Sequence, residues 1–182
     1  MKFKNLSLLL IGTILSGCAT TYVEQSSGDL ARVRFVAQDG VGSTNVNLYK
    51  EKSCENKTPV TSLLGRTSIE LFPKEKRLGI PLWNYSANAA KEFNMPANVE
   101  QNIMIVQNFG GIGSGMACGA YFQFTYEKNN DYEIVFDSQK CIATIYKIIT
   151  SGEAAKKEFI KSYSSSSNAS PSCISEFKRN AG

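Results

Sequence analysis

The chain has 182 residues, which is the length of one domain or at most two small ones. Hydrophobic residues make up 42% of it and charged residues 20%, and these fractions exclude a wholly disordered or fibrous chain. Lys and Arg number 20 against 16 Asp and Glu, and the formal charge of +4 is too small to indicate a nucleic-acid-binding protein. The chain has no His, so Ser–His–Asp catalysis is excluded and the commonest metal ligand is missing.

The N-terminus has the pattern of an export signal. Lys2 and Lys4 precede an apolar run over residues 6–15, and the small residues Ser16 and Gly17 follow that run. The run is well short of the roughly 20 residues that a membrane-spanning helix needs. We therefore expect residues 1–17 to form a signal peptide that is removed from the mature protein.

The residues Leu15-Ser16-Gly17-Cys18 resemble the lipobox of bacterial lipoproteins and match it at all four positions. The resemblance implies cleavage between Gly17 and Cys18, a diacylglyceryl group on the Cys18 thiol and acylation of the new amine. Two or more acyl chains hold a protein stably at a membrane, whereas one chain binds marginally. Ala19 stands where an Asp is associated with inner-membrane retention, which favours the periplasmic face of the outer membrane. The alternative is an ordinary secreted protein with an incidental cysteine.

Four further cysteines predict disulfide bonds, since an exported protein reaches an oxidising compartment. Of the three possible connectivities we favour Cys118–Cys141 and Cys54–Cys173. A flat antiparallel meander would hold Cys118 and Cys141 too far apart, so this pairing requires a strand that bends away or a loop that leans across. Zinc binding is the rival interpretation, but no two cysteines have the CxxC spacing. We expect neither a metal nor a cofactor.

The mature chain divides into three predicted parts: a flexible spacer over 18–29, a β-domain over 30–163 and a Ser-rich tail over 164–182. Alternating apolar and polar residues predict the strands of the domain. These comprise a hairpin of Leu30–Ala37 and Thr44–Lys50, a strand at 67–72, an edge strand at 92–96, a strand at 101–109, and a meander of 120–126, 132–136 and 141–149. Residues 53–59 are predicted to be a polar loop, and 153–163 a short amphipathic helix.

This pattern predicts an all-β fold, an antiparallel β-sandwich of about seven to eight strands with one short C-terminal helix. The core is expected to contain the apolar residues on the inward positions of the strands. They are Val33, Phe35, Leu48, Ile69, Ile103, Ile105, Phe122, Phe124, Ile134, Phe136 and Ile145.

A weaker and more dispersed pattern begins at Gly79 and is similar to that of uncharacterised proteobacterial lipoproteins. Its elements are Gly79 and Pro81, the pair Pro96-Ala97, the strand Cys118–Phe124, the motif Asp131-Tyr132-Glu133 with Phe136, and Cys141. The resemblance implies no activity.

Two segments are candidates for contact with a partner. The glycine-rich stretch Phe109–Gly119 lacks the spacing of a phosphate-binding loop, so we expect a flexible connection whose Ile112 and Met116 are exposed to a partner.

The second candidate segment is the loop Leu78–Tyr85. Its Trp83 and Tyr85, beside Pro81 and Leu82, could form an aromatic binding patch. A single Trp is more often a core plug or a lid over the open end of a sandwich, so packing is the favoured interpretation of Trp83.

Two patterns could indicate an enzyme. Ser175 and Lys178 satisfy the Ser-x-x-Lys motif of penicillin-binding proteins, but the accompanying motifs are missing and the tail is a poor place for a rigid cleft. Paired carboxylates could hydrolyse glycosidic bonds.

The charged residues of the predicted strands and turns are expected to face solvent. This applies to the carboxylates of Glu127, Asp131 and Glu133. The arginines Arg32 and Arg34 could face a partner, but solvent is the favoured interpretation. No carboxylate pair is singled out by its spacing.

These observations favour a lipid-anchored envelope protein that binds a protein partner, as an assembly subunit, an inhibitor or an immunity-type protein. No nucleic-acid partner is expected. One alternative is a cell-wall enzyme using carboxylate or Ser–Lys chemistry, and another is a purely structural envelope lipoprotein.

Overall fold

The computed structural model describes residues 22–38, 42–50, 56–64, 75–108 and 117–164. These residues form nine strands: β1 (Leu30–Gln38), β2 (Ser43–Tyr49), β3 (Lys57–Leu64), β4 (Ala90–Pro96), β5 (Glu100–Asn108), β6 (Ala117–Thr125), β7 (Asp131–Asp137), β8 (Ile142–Ser151) and β9 (Ala154–Ser164). Within these ranges no helix has the length and apolar character needed to cross a bilayer. Several sequence predictions concern positions outside the described residues: the signal peptide, Cys18, Cys54, the strand at 67–72, Ile112, Met116, Cys173, Ser175 and Lys178.

The nine strands lie in two sheets. One sheet has the order β4-β1-β7-β8-β9 and the other the order β3-β2-β5-β6. All neighbours are antiparallel except β1 and β7, which run parallel. The all-β class is thus confirmed for the described residues, and the two sheets are arranged as in a β-sandwich. The predicted edge strand at 92–96 is confirmed as well, because β4 ends the order of its sheet.

A single hydrophobic core joins the inner faces of the two sheets. Val33 and Phe35 of β1 alternate with outward-facing arginines and enter the same cluster as Ile103 of β5 and Phe122 of β6. The predicted core residues within the described ranges all belong to this cluster, although Leu48 and Phe124 are only partly buried. Residue 69 lies outside those ranges.

The predicted pairing of the strands is wrong in two places. β1 and β2 do not form a hairpin, because β1 pairs with β4 and β7 whereas β2 pairs with β3 and β5. The predicted meander is also divided, since β6 belongs to the four-stranded sheet while β7 and β8 pair in the other. Alternation with a period of two identifies a strand and its buried face, but it carries no information about the partner strand.

Two further corrections concern secondary structure. Residues predicted to form a helix at 153–163 instead belong to β9, which follows a turn at Gly152 and pairs with β8 from Ala154 to Ser164. Gly152 has a φ of +60°, which suits a tight reversal between strands. Local composition favoured a helix, but pairing with a neighbouring strand outweighs helix propensity. Likewise, β3 takes in part of the predicted loop at 53–59.

The predicted Cys118–Cys141 disulfide is confirmed, with Cα atoms 5.3 Å apart. Cys118 lies on β6 in the four-stranded sheet, and Cys141 immediately precedes β8 in the five-stranded sheet. The bridge therefore joins the two layers of the sandwich. This placement removes the geometric difficulty of bridging strands within one flat meander.

Residues 22–29, the described part of the predicted spacer 18–29, contact the domain. The Tyr22 hydroxyl donates a hydrogen bond of 2.6 Å to the carbonyl of Asn94, and the Tyr22 ring packs edge-on against Phe93. Farther along, the N–H of Ala97 donates to the carbonyl of Asp29. The segment thus runs beside β4 and is held at both of its ends.

Replacing Tyr22 with Phe should change how stability depends on pH. Burial, with a smaller contribution from Glu24, raises the pKa of Tyr22 from 10.0 to about 12. The stabilising contribution of the protonated hydroxyl is therefore complete below about pH 10 and is lost as the pH rises through 12. At neutral pH we expect the wild type to be more stable than Tyr22→Phe by about 1 kcal/mol, the value of one lost hydrogen bond. This difference in stability should disappear as the pH rises from 10 to 12. Urea titrations of both proteins across the range measure this, and curves that decline in parallel would contradict it.

Candidate functional site

Three adjacent strands bring charged side chains together on the outer face of the five-stranded sheet. Arg34 of β1 lies directly opposite Glu92 of β4 on one side and opposite Glu133 of β7 on the other. All three residues have 0% of their surface exposed. We call Arg34, Glu92 and Glu133 the ionic cluster.

The guanidinium of Arg34 binds both carboxylates of the ionic cluster. Its Nε and Nη2 donate to Glu92 Oε1 at 3.0 and 2.8 Å, and its Nη1 donates to Glu133 Oε2 at 2.7 Å. The second oxygen of Glu92 accepts hydrogen bonds from the backbone N–H groups of Leu78 and Ile80. Burying charges is costly unless they are paired and hydrogen-bonded, and here both conditions are met.

The second oxygen of Glu133 has two donors of its own. It accepts from the Tyr85 hydroxyl at 2.9 Å and from Lys157 Nζ of β9 at 2.5 Å. Burial raises the pKa of Tyr85; the hydrogen bond from Lys157 lowers it, and the nearby Glu133 carboxylate raises it, so that the net shift is upward. Burial opposes the charge on Lys157, but hydrogen bonds to Glu133 and Tyr85 outweigh it and raise the pKa of that ammonium. Tyr85 therefore stays neutral and Lys157 stays charged near neutral pH.

Residues 75–89, which we call the cover segment, lie over the ionic cluster. Its ends are fixed by backbone hydrogen bonds, from the N–H of Glu92 to the carbonyl of Lys76 and from the N–H of Ala37 to that of Ala89. Its middle is fixed by Arg34, whose guanidinium donates to the three successive carbonyls of Ile80, Pro81 and Leu82.

Two residues with positive φ shape the cover segment around the guanidinium. Gly79 has a φ of +85° and Leu82 a φ of +62°, so the chain turns sharply on either side of Ile80 and Pro81. The first is a glycine, for which this conformation costs little. The second is a branched side chain in a sparsely populated conformation, so the contacts around it must compensate for local strain.

The aromatic residues singled out in the sequence both contact cations. The Trp83 ring contacts two guanidinium groups, with its centroid 5.2 Å from the Arg34 carbon and 4.6 Å from that of Arg77. The Tyr85 ring lies 5.8 Å from Arg34 and 5.4 Å from Lys157 Nζ. Both rings are partly buried and pack against charged side chains of the domain. The location favoured for Trp83 is wrong, because it covers the outer face of a sheet and not the core or the end of the sandwich.

The expectation that Arg34 and Glu133 face solvent is also wrong. Alternation correctly places both on the outward face of their strands, but it cannot reveal that a later segment covers that face. Asp131 is largely buried too, in a two-point ion pair with Arg32 at 2.7 and 2.6 Å. Arg32 itself keeps 42% of its side chain exposed, and Glu127 is exposed as predicted. The signal that sequence analysis missed is the complementary charge on outward positions of three strands.

A cleft of about 410 Å³ lies next to the ionic cluster. Tyr85 and Lys157 line one side of it, and the outward side chains of Val36 and Val135 contribute apolar surface. The other lining residues are Ala37, Gln38, Asn84, Ser86, Ala89 and Tyr146. The cleft therefore combines one ammonium group and two phenols with an apolar sheet surface.

The ionic cluster has the chemistry of a structural site. Every carboxylate oxygen of Glu92 and Glu133 already accepts a hydrogen bond, so neither group has an oxygen directed at a substrate. Among the described residues, no three His, Cys, Asp or Glu side chains are grouped as a metal site requires.

The described residues define an all-β protein whose two layers are bridged by a disulfide and whose outer face carries a buried ionic cluster. Comparisons with protein-family models, with curated proteins and with solved structures found no match to this chain. Lipidation at Cys18, which the resemblance of residues 15–18 to a lipobox implies, remains a prediction.

Replacing Arg34 with Met should destabilise the protein by about 3–5 kcal/mol, because it leaves buried Glu92 without a counter-charge and leaves Glu133 with Lys157 alone. Lys147→Met is the control: its ion pair with Glu127 is partly exposed, so the expected loss is at most about 1 kcal/mol. Urea unfolding measures both free energies. Trypsin provides a second readout, since a loosened cover segment should be cleaved faster after Lys76 and Arg77. Equal losses in the two variants would show that the ionic cluster does not fasten the segment.

Proposed function

We propose that this protein is a lipid-anchored lipoprotein of the cell envelope, held at the periplasmic face of the outer membrane, where it acts as a binding or accessory module. The observation that carries the proposal is the tetrad Leu15-Ser16-Gly17-Cys18 directly after a short apolar run. The Cys118–Cys141 bridge supports it, because disulfides persist in oxidising compartments such as the periplasm.

The proposed contact surface is the turn of the cover segment together with the adjacent cleft. Leu82 exposes 40% of its surface although it is a large apolar residue, and it sits in a strained turn that Arg34 holds in place. A surface fixed in advance loses little conformational entropy when a partner binds. An exposed apolar residue on a rigid turn beside a cleft therefore suits recognition of a protein partner.

All carboxylate oxygens of the two buried glutamates already accept hydrogen bonds, which favours a binding role over that of a carboxylate-dependent cell-wall enzyme. A general acid or base needs an oxygen within hydrogen-bond reach of the substrate. In the ionic cluster those oxygens instead bind Arg34, the cover segment, Tyr85 and Lys157. The partner is proposed to be an envelope protein, with the chain serving as an assembly subunit, an inhibitor or an immunity-type protein.

Replacing Cys18 with Ser should abolish lipidation. Cells fed a labelled fatty acid should label the wild type but not Cys18→Ser, and the variant should leave the membrane fraction because it has no anchor. Cys54→Ser is the matched control and should keep both the label and the membrane association. An acyl label retained on Cys18→Ser would contradict the proposal that Cys18 carries the lipid anchor.

A photoreactive benzoylphenylalanine in place of Leu82 should crosslink to one reproducible envelope protein in living cells. The same substitution at Val99, another exposed apolar residue, is the control and should not give that adduct. The adducts are separated by size and identified by mass spectrometry. No adduct at Leu82, or the same adducts at both positions, would contradict the proposed contact surface.

A further inference from the structure

The first described residue is fixed to the body of the domain. The backbone N–H of Tyr22 donates a hydrogen bond of 2.9 Å to the carbonyl of Pro59 on β3, and its hydroxyl donates to the carbonyl of Asn94 on β4. These contacts place Tyr22 between an edge strand of one sheet and an edge strand of the other. The chain therefore enters the sandwich at the β3–β4 side.

The next residues hold this entry point in place. One oxygen of Glu24 accepts the N–H of Asn94 at 2.6 Å, and the other binds Lys76 of the cover segment. The side chain of Val23, between these two fixed residues, is 82% exposed. It is thus an apolar side chain that points away from the domain at its point of entry.

Only residues 19–21 separate the predicted lipidated cysteine from Tyr22. Whatever conformation these residues adopt, four Cα-to-Cα steps span at most about 14 Å. The acyl chains would hold Cys18 at the level of the lipid headgroups, a layer about 5–8 Å thick on each side of the hydrocarbon core. A domain attached through so short a connection cannot rotate freely above the membrane.

The far edge of the five-stranded sheet is well separated from this entry point. β4 and β9 are the two edges of that sheet, with three strands between them. Four spacings of about 4.8 Å put β9 roughly 19 Å from β4. Phe159 on β9 is 61% exposed and so provides an apolar position, comparable to Val23, at the opposite edge.

We infer that residues 22–29 and β4 form a membrane-facing edge that lies against phospholipid headgroups, with the Val23 side chain at the interface and β9 turned away from the bilayer. This inference rests on the lipid anchor of the proposed function. An exposed apolar side chain at the boundary between headgroups and acyl chains gains from burial there. The occupant of this edge is therefore the lipid surface itself.

The test places benzoylphenylalanine at Val23 or at Phe159 of the full-length protein, which is expressed with its own leader and purified from membranes. Each protein is reconstituted into vesicles of phosphatidylethanolamine and phosphatidylglycerol and irradiated. Intact-mass measurement first establishes whether the protein carries acyl chains. In the acylated protein we expect several-fold more phospholipid adduct at Val23 than at Phe159.

The outcomes separate this inference from the proposed function. A protein without acyl chains overturns the anchor and the orientation together. An acylated protein with equal adducts at the two positions, or more at Phe159, overturns the orientation alone.

A spacer variant tests whether the short connection sets the orientation. About twelve Gly and Ser residues inserted between Thr21 and Tyr22 have a root-mean-square reach of about 19 Å, which frees the domain to rotate. The adduct at Val23 should then fall several-fold toward the level at Phe159. An unchanged yield of adduct at Val23 in the acylated spacer variant would show that the short connection does not set the orientation.

Discussion

The outer face of the five-stranded sheet depends on one buried guanidinium. Arg34 carries its charge with no exposed surface, and this is tolerable only because two carboxylates and three backbone carbonyls surround it. The carbonyls belong to the cover segment, whose polar backbone needs partners wherever it lies against protein. The Arg34 side chain thus supplies the counter-charge for the buried carboxylates and the hydrogen-bond donors for the carbonyls of the cover segment. The positions of Trp83 and Tyr85, and with them the wall of the cleft, follow from it.

Strand order explains why these charges can meet. β1 lies between β4 and β7, so one arginine on β1 has a glutamate directly opposite it on each side. Lys157 of β9 then balances the charge of the second glutamate. Two positive and two negative groups are thus joined in one hydrogen-bonded network, in which each bond polarises its neighbours.

The sequence allowed the strands and the core to be predicted, but not the arrangement of the strands. Alternation in β1 identified Val33 and Phe35 as core residues because the period of a strand is a local property. The partners of β1 are β4 and β7, which lie far along the chain, and no local pattern encodes that choice. The same limit applies to the site: Trp83 and Tyr85 stood out by residue type, whereas the burial of Arg34 depends on a segment more than 40 residues away. The strand β9 was missed because its composition favours a helix and only the neighbouring β8 makes it a strand.

The parallel pairing of β1 with β7 has a consequence for the timing of folding. Arg34 and Glu133 are 99 positions apart, so the first strand cannot complete its sheet until most of the chain is available. Contacts between such distant residues slow folding, because a large loop must close before they contribute any stability. If the chain is exported as its N-terminal pattern predicts, slow folding lengthens the interval in which it is still unfolded and can pass through a membrane.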